Sequence, residues 1–186
     1  MRLFTIFQPY EATNTYLLNQ DGERDAVLVD PGRFDLNLLN LVEENGLYIS
    51  HVLLTHSHIN HTHGIPTIMK IYDAEIYSMK PYIHDFRTNL ITGETTFRLP
   101  GMEVHAIPVP GHSDDSVIYI IENMLFTGDT LMAGYTGQTS GFTEQRAMTA
   151  LIKEKIFSLE GEYLLFPGHG SPSTLGAEKS SNLLLK

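Results

Sequence analysis

Short apolar runs alternate with polar breaks that carry glycine and proline, and the spacing inside each run predicts the element. Leu3 to Phe7, Thr15 to Asn19 and Ala26 to Val29 read as three strands, with a turn at Gln20-Asp21-Gly22-Glu23 and a sharp stop at Asp30-Pro31-Gly32. From Asp35 to Asn45 the period becomes helical. Leu38, Leu41 and Val42, with Leu39 beside them, form the apolar face, and Gly46 ends it. Val52-Leu53-Leu54 reads as a buried strand, Ile65, Ile68, Met69 and Tyr72 repeat at helical spacing, and Ala74 to Met79 is a further strand. Pro81 to Asn89 is read as helical and partly exposed. Thr95 to Leu99 and Glu103 to Val109 are antiparallel strands joined by Pro100-Gly101. Val117 to Ile121 and Met124 to Phe126 form a hairpin through Glu122-Asn123. Thr143 is expected to cap a helix running to about Ser158. Tyr163 to Phe166 is the last strand, and a terminal helix covers Leu175 to Leu184. No linker or close repeat interrupts this order, so residues 1–186 are expected to form one domain, α/β or α+β by periodicity.

Candidate chemistry sits where strands end. Directly after Leu54 comes Thr55-His56-Ser57-His58-Ile59-Asn60-His61, with three histidines in six residues. Neutral imidazole is a common metal ligand. His56 and His58 are two apart and point to the same side of an extended segment, so they can converge on one ion, while His61 suits a second ion beside it. With nine histidines among 186 residues, the plainer reading is a polar loop that happens to hold three of them. Three later strand ends carry further potential ligands: Pro110-Gly111-His112, Thr127-Gly128-Asp129-Thr130 and Pro167-Gly168-His169.

These four motifs, in this order, resemble the metallo-β-lactamase-fold hydrolases, and in particular the short glyoxalase II-like (hydroxyacylglutathione hydrolase-like) branch. Their pattern is T-H-x-H-x-D-H, then P-G-H, G-D-T and P-G-H-G. The likeness spans nearly the whole chain, from Asn14-Thr15-Tyr16-Leu17 and Asp30-Pro31-Gly32 to Thr174-Leu175-Gly176-Ala177-Glu178. It implies an αββα sandwich, with two mixed sheets face to face and helices outside. It also implies two divalent ions, zinc first, with iron or manganese as alternatives. His56, His58 and His112 would hold one ion, Asn60, His61 and His169 the other, and Asp129 would bridge them. The implied activity is hydrolysis of a thioester or related acyl substrate by a hydroxide that the ions share. Asn60 departs from the pattern, which has aspartate there. It keeps an oxygen donor but loses the charge and basicity of the catalytic position, so a weaker second site is expected. Asp30 is read either as a turn residue or, by the resemblance, as a carboxylate beneath the metal site. His63 is assigned to the pocket rim or surface, and His51, His84 and His105 to structural roles. Tyr135 is read as either a pocket or a packing residue.

Composition trims the alternatives. The formal charge is −10, from 22 acidic and 12 basic residues, which disfavours a nucleic-acid partner. The absence of cysteine removes thiolate chemistry and fits a reducing, cytoplasmic setting. No signal peptide and no membrane span are read, so a small-molecule substrate is the expected partner; homodimerisation stays open. Only 17 residues follow His169 (186 − 169), so the helical C-terminal domain of full-length glyoxalase II proteins is not expected. Gln138 and Ser140 replace a charged pair that relatives carry near the site mouth, which argues against a preference for glutathione conjugates. Two rivals remain. One is a persulfide dioxygenase-like enzyme with one iron on His56, His112 and Asp129. The other is a metal-binding protein whose turnover Asn60 has weakened or abolished.

Overall fold

The computed structural model describes residues 1–9 and 11–185. The chain begins with the antiparallel strands β1 (Arg2–Gln8), β2 (Thr13–Asn19) and β3 (Asp25–Val29). Helix α1 (Leu36–Glu44) crosses over to β4 (Tyr48–Leu53), which lies parallel to β3. Asp35 caps α1, its carboxylate accepting the amides of Asn37 and Leu38 at 3.0 and 3.1 Å. The short helices α2 (Ile59–Thr62) and α3 (Ile65–Ile71) then lead to β5 (Glu75–Ser78), parallel to β4. A small hairpin, β6 (Tyr82–Ile83) and β7 (Phe86–Arg87), precedes β8 (Asn89–Leu90), which closes the first sheet in the order β1-β2-β3-β4-β5-β8.

The second sheet draws on the rest of the chain: β9 (Thr95–Leu99), β10 (Met102–Pro108), β11 (Val117–Ile121) and β12 (Met124–Gly128). A two-stranded tab follows, β13 (Leu131–Met132) and β14 (Tyr135–Thr136). Helix α4 (Phe142–Leu151) runs on as a π-helical turn over Ile152–Ile156. Then come β15 (Leu164–Pro167), β16 (Ser173–Thr174) and α5 (Leu175–Ser181). The sheet order is β16-β15-β12-β11-β10-β9, with only β12 and β15 parallel.

Side chains alternate faces along a strand, and the alternation sorts the core into three layers. Tyr16, Leu18, Val27, Val29 and Leu53 of the first sheet face Val104, Ala106, Tyr119, Phe126 and Phe166 of the second. The next residues along the same strands, Leu17, Leu28, Val52 and Leu54, turn outward onto Leu38 and Val42 of α1 and Ile65 and Ile68 of α3. On the opposite outer face, Ile107, Ile118, Leu125 and Leu165 bury Met148, Ile152, Ile156 and Leu175. Helix, sheet, sheet and helix are thus stacked as an αββα sandwich, an α/β arrangement with mixed sheets. No helix among the described residues is long and apolar enough to cross a membrane.

Three expectations need correction. Pro81 to Asn89 is not helical: β6 pairs with β7 across a turn in which His84 is left-handed (φ 51°), and the His84 Nε2–Thr62 carbonyl contact of 3.0 Å fixes the hairpin. Gly141, in extended backbone, is the N-cap of α4, and Thr143 lies inside its first turn. The last helix ends at Ser181, because Asn182 leaves helical backbone and turns its amide onto Glu178 Oε2 at 2.7 Å.

Strand direction positions the site. β3 and β4 are parallel, so Asp30 and Thr55 emerge at the same sheet edge. β12 and β15 are parallel and β10 runs the same way through two antiparallel steps, so Asp129, His169 and His112 emerge together. Strand β2 stitches the two edges. Its Asn14 amide donates to the Gly168 carbonyl at 2.7 Å, the Asn14 side chain donates to the Pro167 and Gly170 carbonyls at 3.0 and 2.8 Å, and the Tyr16 hydroxyl donates to Pro167 O at 2.6 Å. Tyr16→Phe keeps the packing but removes one buried hydrogen bond, so a loss of about 1 kcal/mol is expected in chemical denaturation. An unchanged midpoint would show that this bond contributes nothing.

Candidate metal centre

All six residues expected as ligands, and Asn60, reach one edge of the sandwich. Asp129 is the hub. It is 7% exposed, and its Oδ2 lies 3.5 Å from His61 Nε2, 3.6 Å from His112 Nε2 and 3.8 Å from His56 Nε2. Its other oxygen accepts from His169 Nδ1 at 2.6 Å. Burial alone would raise the Asp129 pKa, but the hydrogen bond from His169 and the nearby His61 and His56 rings outweigh it and hold the carboxyl well below its usual range.

Hydrogen bonds on the far side of the His112 and His56 rings fix which nitrogen faces the centre. The Gln138 carbonyl can only accept, so His112 donates Nδ1–H to it at 2.8 Å and keeps a bare Nε2. Thr55 Oγ1 donates to Asp30 Oδ2 at 2.6 Å, leaving its lone pairs for Nδ1–H of His56 at 3.1 Å, so His56 also presents Nε2. Asp30 is 1% exposed and holds the Thr55 amide through Oδ1 at 2.8 Å. Its Oδ2 also lies 3.2 Å from His61 Nδ1. The carboxylate thus serves the histidine loop rather than its own turn, and it does so from left-handed backbone (φ 49°).

Burial pushes the His56 pKa down to about 2, helped by the neighbouring imidazoles, so this ring is neutral. Burial also lowers the His58 pKa, with His112 and His61 adding to the effect. His61 differs: burial would lower it, yet Asp30 and Asp129 on either side raise it to about 9.

The donor set fits a metal. His56 Nε2 and His61 Nε2 are fully enclosed and have no hydrogen-bond partner, an arrangement that costs free energy unless a cation completes it. Atoms of His56, His58 and His112 lie within 4.8 Å of one another, as do those of His56, His61 and Asp129. The first group is the expected first set. The second gathers His61 and Asp129 around His56, whereas His169 and Asn60 join from the rim. Because His169 Nδ1 donates to Asp129, its Nε2 accepts from the Asn60 amide at 3.2 Å.

Close approach explains the glycines in the motifs. A Cβ on Gly168 would stand 2.5 Å from His61 Cε1 and 2.6 Å from Asp129 Oδ1, and one on Gly137 would stand 2.1 Å from the Asp129 carbonyl. Gly168→Ala is therefore expected to cost about 1–3 kcal/mol of stability, and to lower metal content in the purified protein. Wild-type metal content and midpoint in the variant would refute the crowding argument. Motif reading had not singled out Thr55 as a relay, the Gln138 carbonyl, or Asn14 and Tyr16 as clamps. Thr55, fixed before the first histidine, and Asn14 and Tyr16, inside the stretch that carries the family resemblance, had a sequence signal; the Gln138 carbonyl, a backbone group, had none. His63 is exposed at the surface, and His51, His84 and His105 find partners away from the centre.

Two clefts meet at His112. One, of about 450 Å³, lies under the β13–β14 tab, where Tyr135 lines it with Met132, Thr136 and Gln138. The other, of about 570 Å³, runs between His58, His112 and the start of α4. The tab is held by buried Glu178, which accepts the Gly134 amide at 2.9 Å.

Residues 9–169 match the family model described as the metallo-beta-lactamase superfamily. The atrochrysone carboxyl ACP thioesterase of Claviceps purpurea (strain 20.1) is 35% identical over 132 residues, covering 66% of this chain; the chain spans only 41% of that relative's length. An uncharacterized protein of Mycobacterium tuberculosis (strain ATCC 25618 / H37Rv) is 30% identical over 214 residues, covering 94% of this chain and 93% of its own. Among solved structures, ETHE1 from Myxococcus xanthus superposes with a TM-score of 0.89 at 25% identity, over 98% of this chain and 84% of that one. With a family model spanning most of its length and the same sandwich in its structure, this chain belongs to the metallo-beta-lactamase superfamily.

Proposed function

We propose that the protein is a metal-dependent hydrolase of thioester or related acyl substrates, with hydroxyacylglutathione hydrolase-like chemistry. The observation that carries this is the ring of imidazole nitrogens around Asp129, in which the Nε2 atoms of His56 and His61 are buried without a hydrogen-bond partner and His112 Nε2, left bare by the bond from Nδ1 to Gln138, lies 3.0 Å from His58 Nδ1. His56, His58 and His112 would hold one divalent ion, and His61, Asp129 and His169 a second; zinc is the first choice and iron or manganese the alternatives. Such ions supply an activated water and stabilise charge developing on the acyl oxygen. The chain's own part is positional. Asp30 and Thr55 lock the His56 and His61 rings, Gln138 locks His112, and the two clefts hold the substrate arms on either side of His112. In the reaction, water adds across the acyl–sulfur bond. That bond breaks, the acyl group leaves as a carboxylate and a proton, and the sulfur leaves as a thiol. The thioesterase relative supports the reaction class.

A test is turnover of simple acyl thioesters by protein purified without chelator or a metal-binding tag. Hydrolysis that chelation abolishes and added ion restores is expected; full activity in the chelated protein would sink the proposal. One observation favours a second reading: Nε2 of His56 and of His112 both approach the same Asp129 oxygen, as the three ligands of one iron in a persulfide dioxygenase-like enzyme would. Iron as the sole metal, with sulfide-dependent oxygen uptake, would move that reading to the front.

A further inference from the structure

We propose that the Tyr135 hydroxyl is a catalytic hydrogen-bond donor of this site: it meets the acyl oxygen of the thioester and binds it more tightly as that oxygen gains negative charge. The inference rests on the acyl-hydrolase reading and gives a role to a residue that the sequence left as either a pocket or a packing group. The structure argues against packing. Tyr135 is 44% exposed, in the wall of the cleft that also holds His112, Asp129 and His169. Its hydroxyl has no hydrogen-bond partner among the described residues. It stands beside Gly170, one residue beyond His169, where a Cβ would lie 3.4 Å from the hydroxyl oxygen. The tab that carries Tyr135 is pinned from behind at its backbone. Met132 pairs with Tyr135 across the tab, Glu178 accepts the Gly134 amide at 2.9 Å, and the Asn182 side chain donates to the Tyr135 carbonyl at 3.3 Å. A donor held by its backbone and left unpaired needs little reorganisation when charge develops in front of it. Its neighbours on this wall differ: Met132 is apolar, Thr136 Oγ1 is buried and accepts from Gln145 Nε2 at 3.0 Å, and Gln138 turns its carbonyl onto His112. In the proposed step water adds to the acyl carbon and the C=O electron pair moves onto oxygen, where the Tyr135 O–H donates. The pair returns as the carbon–sulfur bond breaks, giving a carboxylate, a thiol and a proton. Tyr135 keeps its own proton throughout.

Tyr135→Phe removes only the hydroxyl from an exposed ring, so fold and metal content are expected to match the wild type. With S-butyl thioacetate, kcat is expected to fall about 10- to 100-fold with KM little changed, because the bond strengthens only as charge develops. Binding supplies a second readout. The butylthio derivative of trifluoroacetone takes up water at its ketone carbon and mimics the tetrahedral stage, whereas that of acetone stays trigonal. In calorimetric titration of the metal-containing protein, Tyr135→Phe should weaken the first about as much as it lowers kcat and leave the second within about twofold. An unchanged kcat, a loss confined to KM, equal weakening of the two ketones, or a fall in kcat matched by a fall in metal content would overturn the assignment. Wild-type protein that hydrolyses no simple thioester sinks the acyl-hydrolase reading, and the Tyr135 assignment with it. Wild-type turnover that Tyr135→Phe does not alter sinks the assignment alone.

Discussion

Asp129→Asn is expected to strip metal from the protein and abolish turnover while leaving the apo fold nearly unchanged. The substitution keeps the shape of the side chain, so the sandwich core is untouched. It removes the carboxylate charge at the hub, where Oδ2 faces His56, His61 and His112 and Oδ1 holds His169. A unit-charge interaction at about 4 Å in partly screened surroundings is worth about 4 kcal/mol, or roughly 10³-fold in a binding constant. Metal content by mass spectrometry should fall towards zero, and the proposed thioester hydrolysis should fall at least in proportion. Far-ultraviolet circular dichroism and the apo melting midpoint report folding independently. A variant with wild-type metal content would show that Asp129 is not the hub.

Asn60→Asp is expected to act in the opposite direction, raising metal content from about one ion per chain towards two. With Asn60, the formal charge of the proposed ligands is −1, all of it from Asp129. Two divalent ions and one hydroxide would then leave a net charge of +2. A second carboxylate removes one unit of that excess, about the same electrostatic increment as above and of opposite sign. The structure adds a reason. His169 donates from Nδ1 to Asp129, so its Nε2 accepts the Asn60 amide, and both ring nitrogens are satisfied without a cation. An aspartate at position 60 offers no proton to Nε2, which leaves that lone pair free for a metal. Mass spectrometry on the two proteins, purified side by side, reads the difference directly. Equal stoichiometry would mean that residue 60 does not govern the second site. A gain in metal without turnover towards any thioester would favour the metal-binding, non-catalytic rival.

The strand and helix pattern was legible wherever one face of an element meets the core. Tyr16 and Leu18 alternate with Leu17, and Leu38 and Val42 share a helix face, because burial on one side imposes a period. Pro81 to Asn89 was not legible. Its hairpin turns at His84 in left-handed backbone, without the glycine or asparagine that announces such turns, and it is held by a bond to the distant Thr62 carbonyl. The start of α4 was missed for a related reason. Glycine caps a helix passably, and the neighbouring Thr143 was the more conspicuous candidate.

By itself, the sequence determined the candidate ligands, because each stands at a strand end in a motif whose residue types suit a metal. It also determined that Asn60 lowers the charge available there, since charge follows from composition. Only the tertiary structure decided how the rings are oriented. That orientation depends on atoms from six separate strand ends, with Asp30 behind Thr55 and His61, Gln138 behind His112, and Asp129 among four imidazoles. No local spacing encodes those contacts. They arise because the parallel pairs β3–β4 and β12–β15 bring residues far apart in the chain to one edge, and because β2 ties the two edges together.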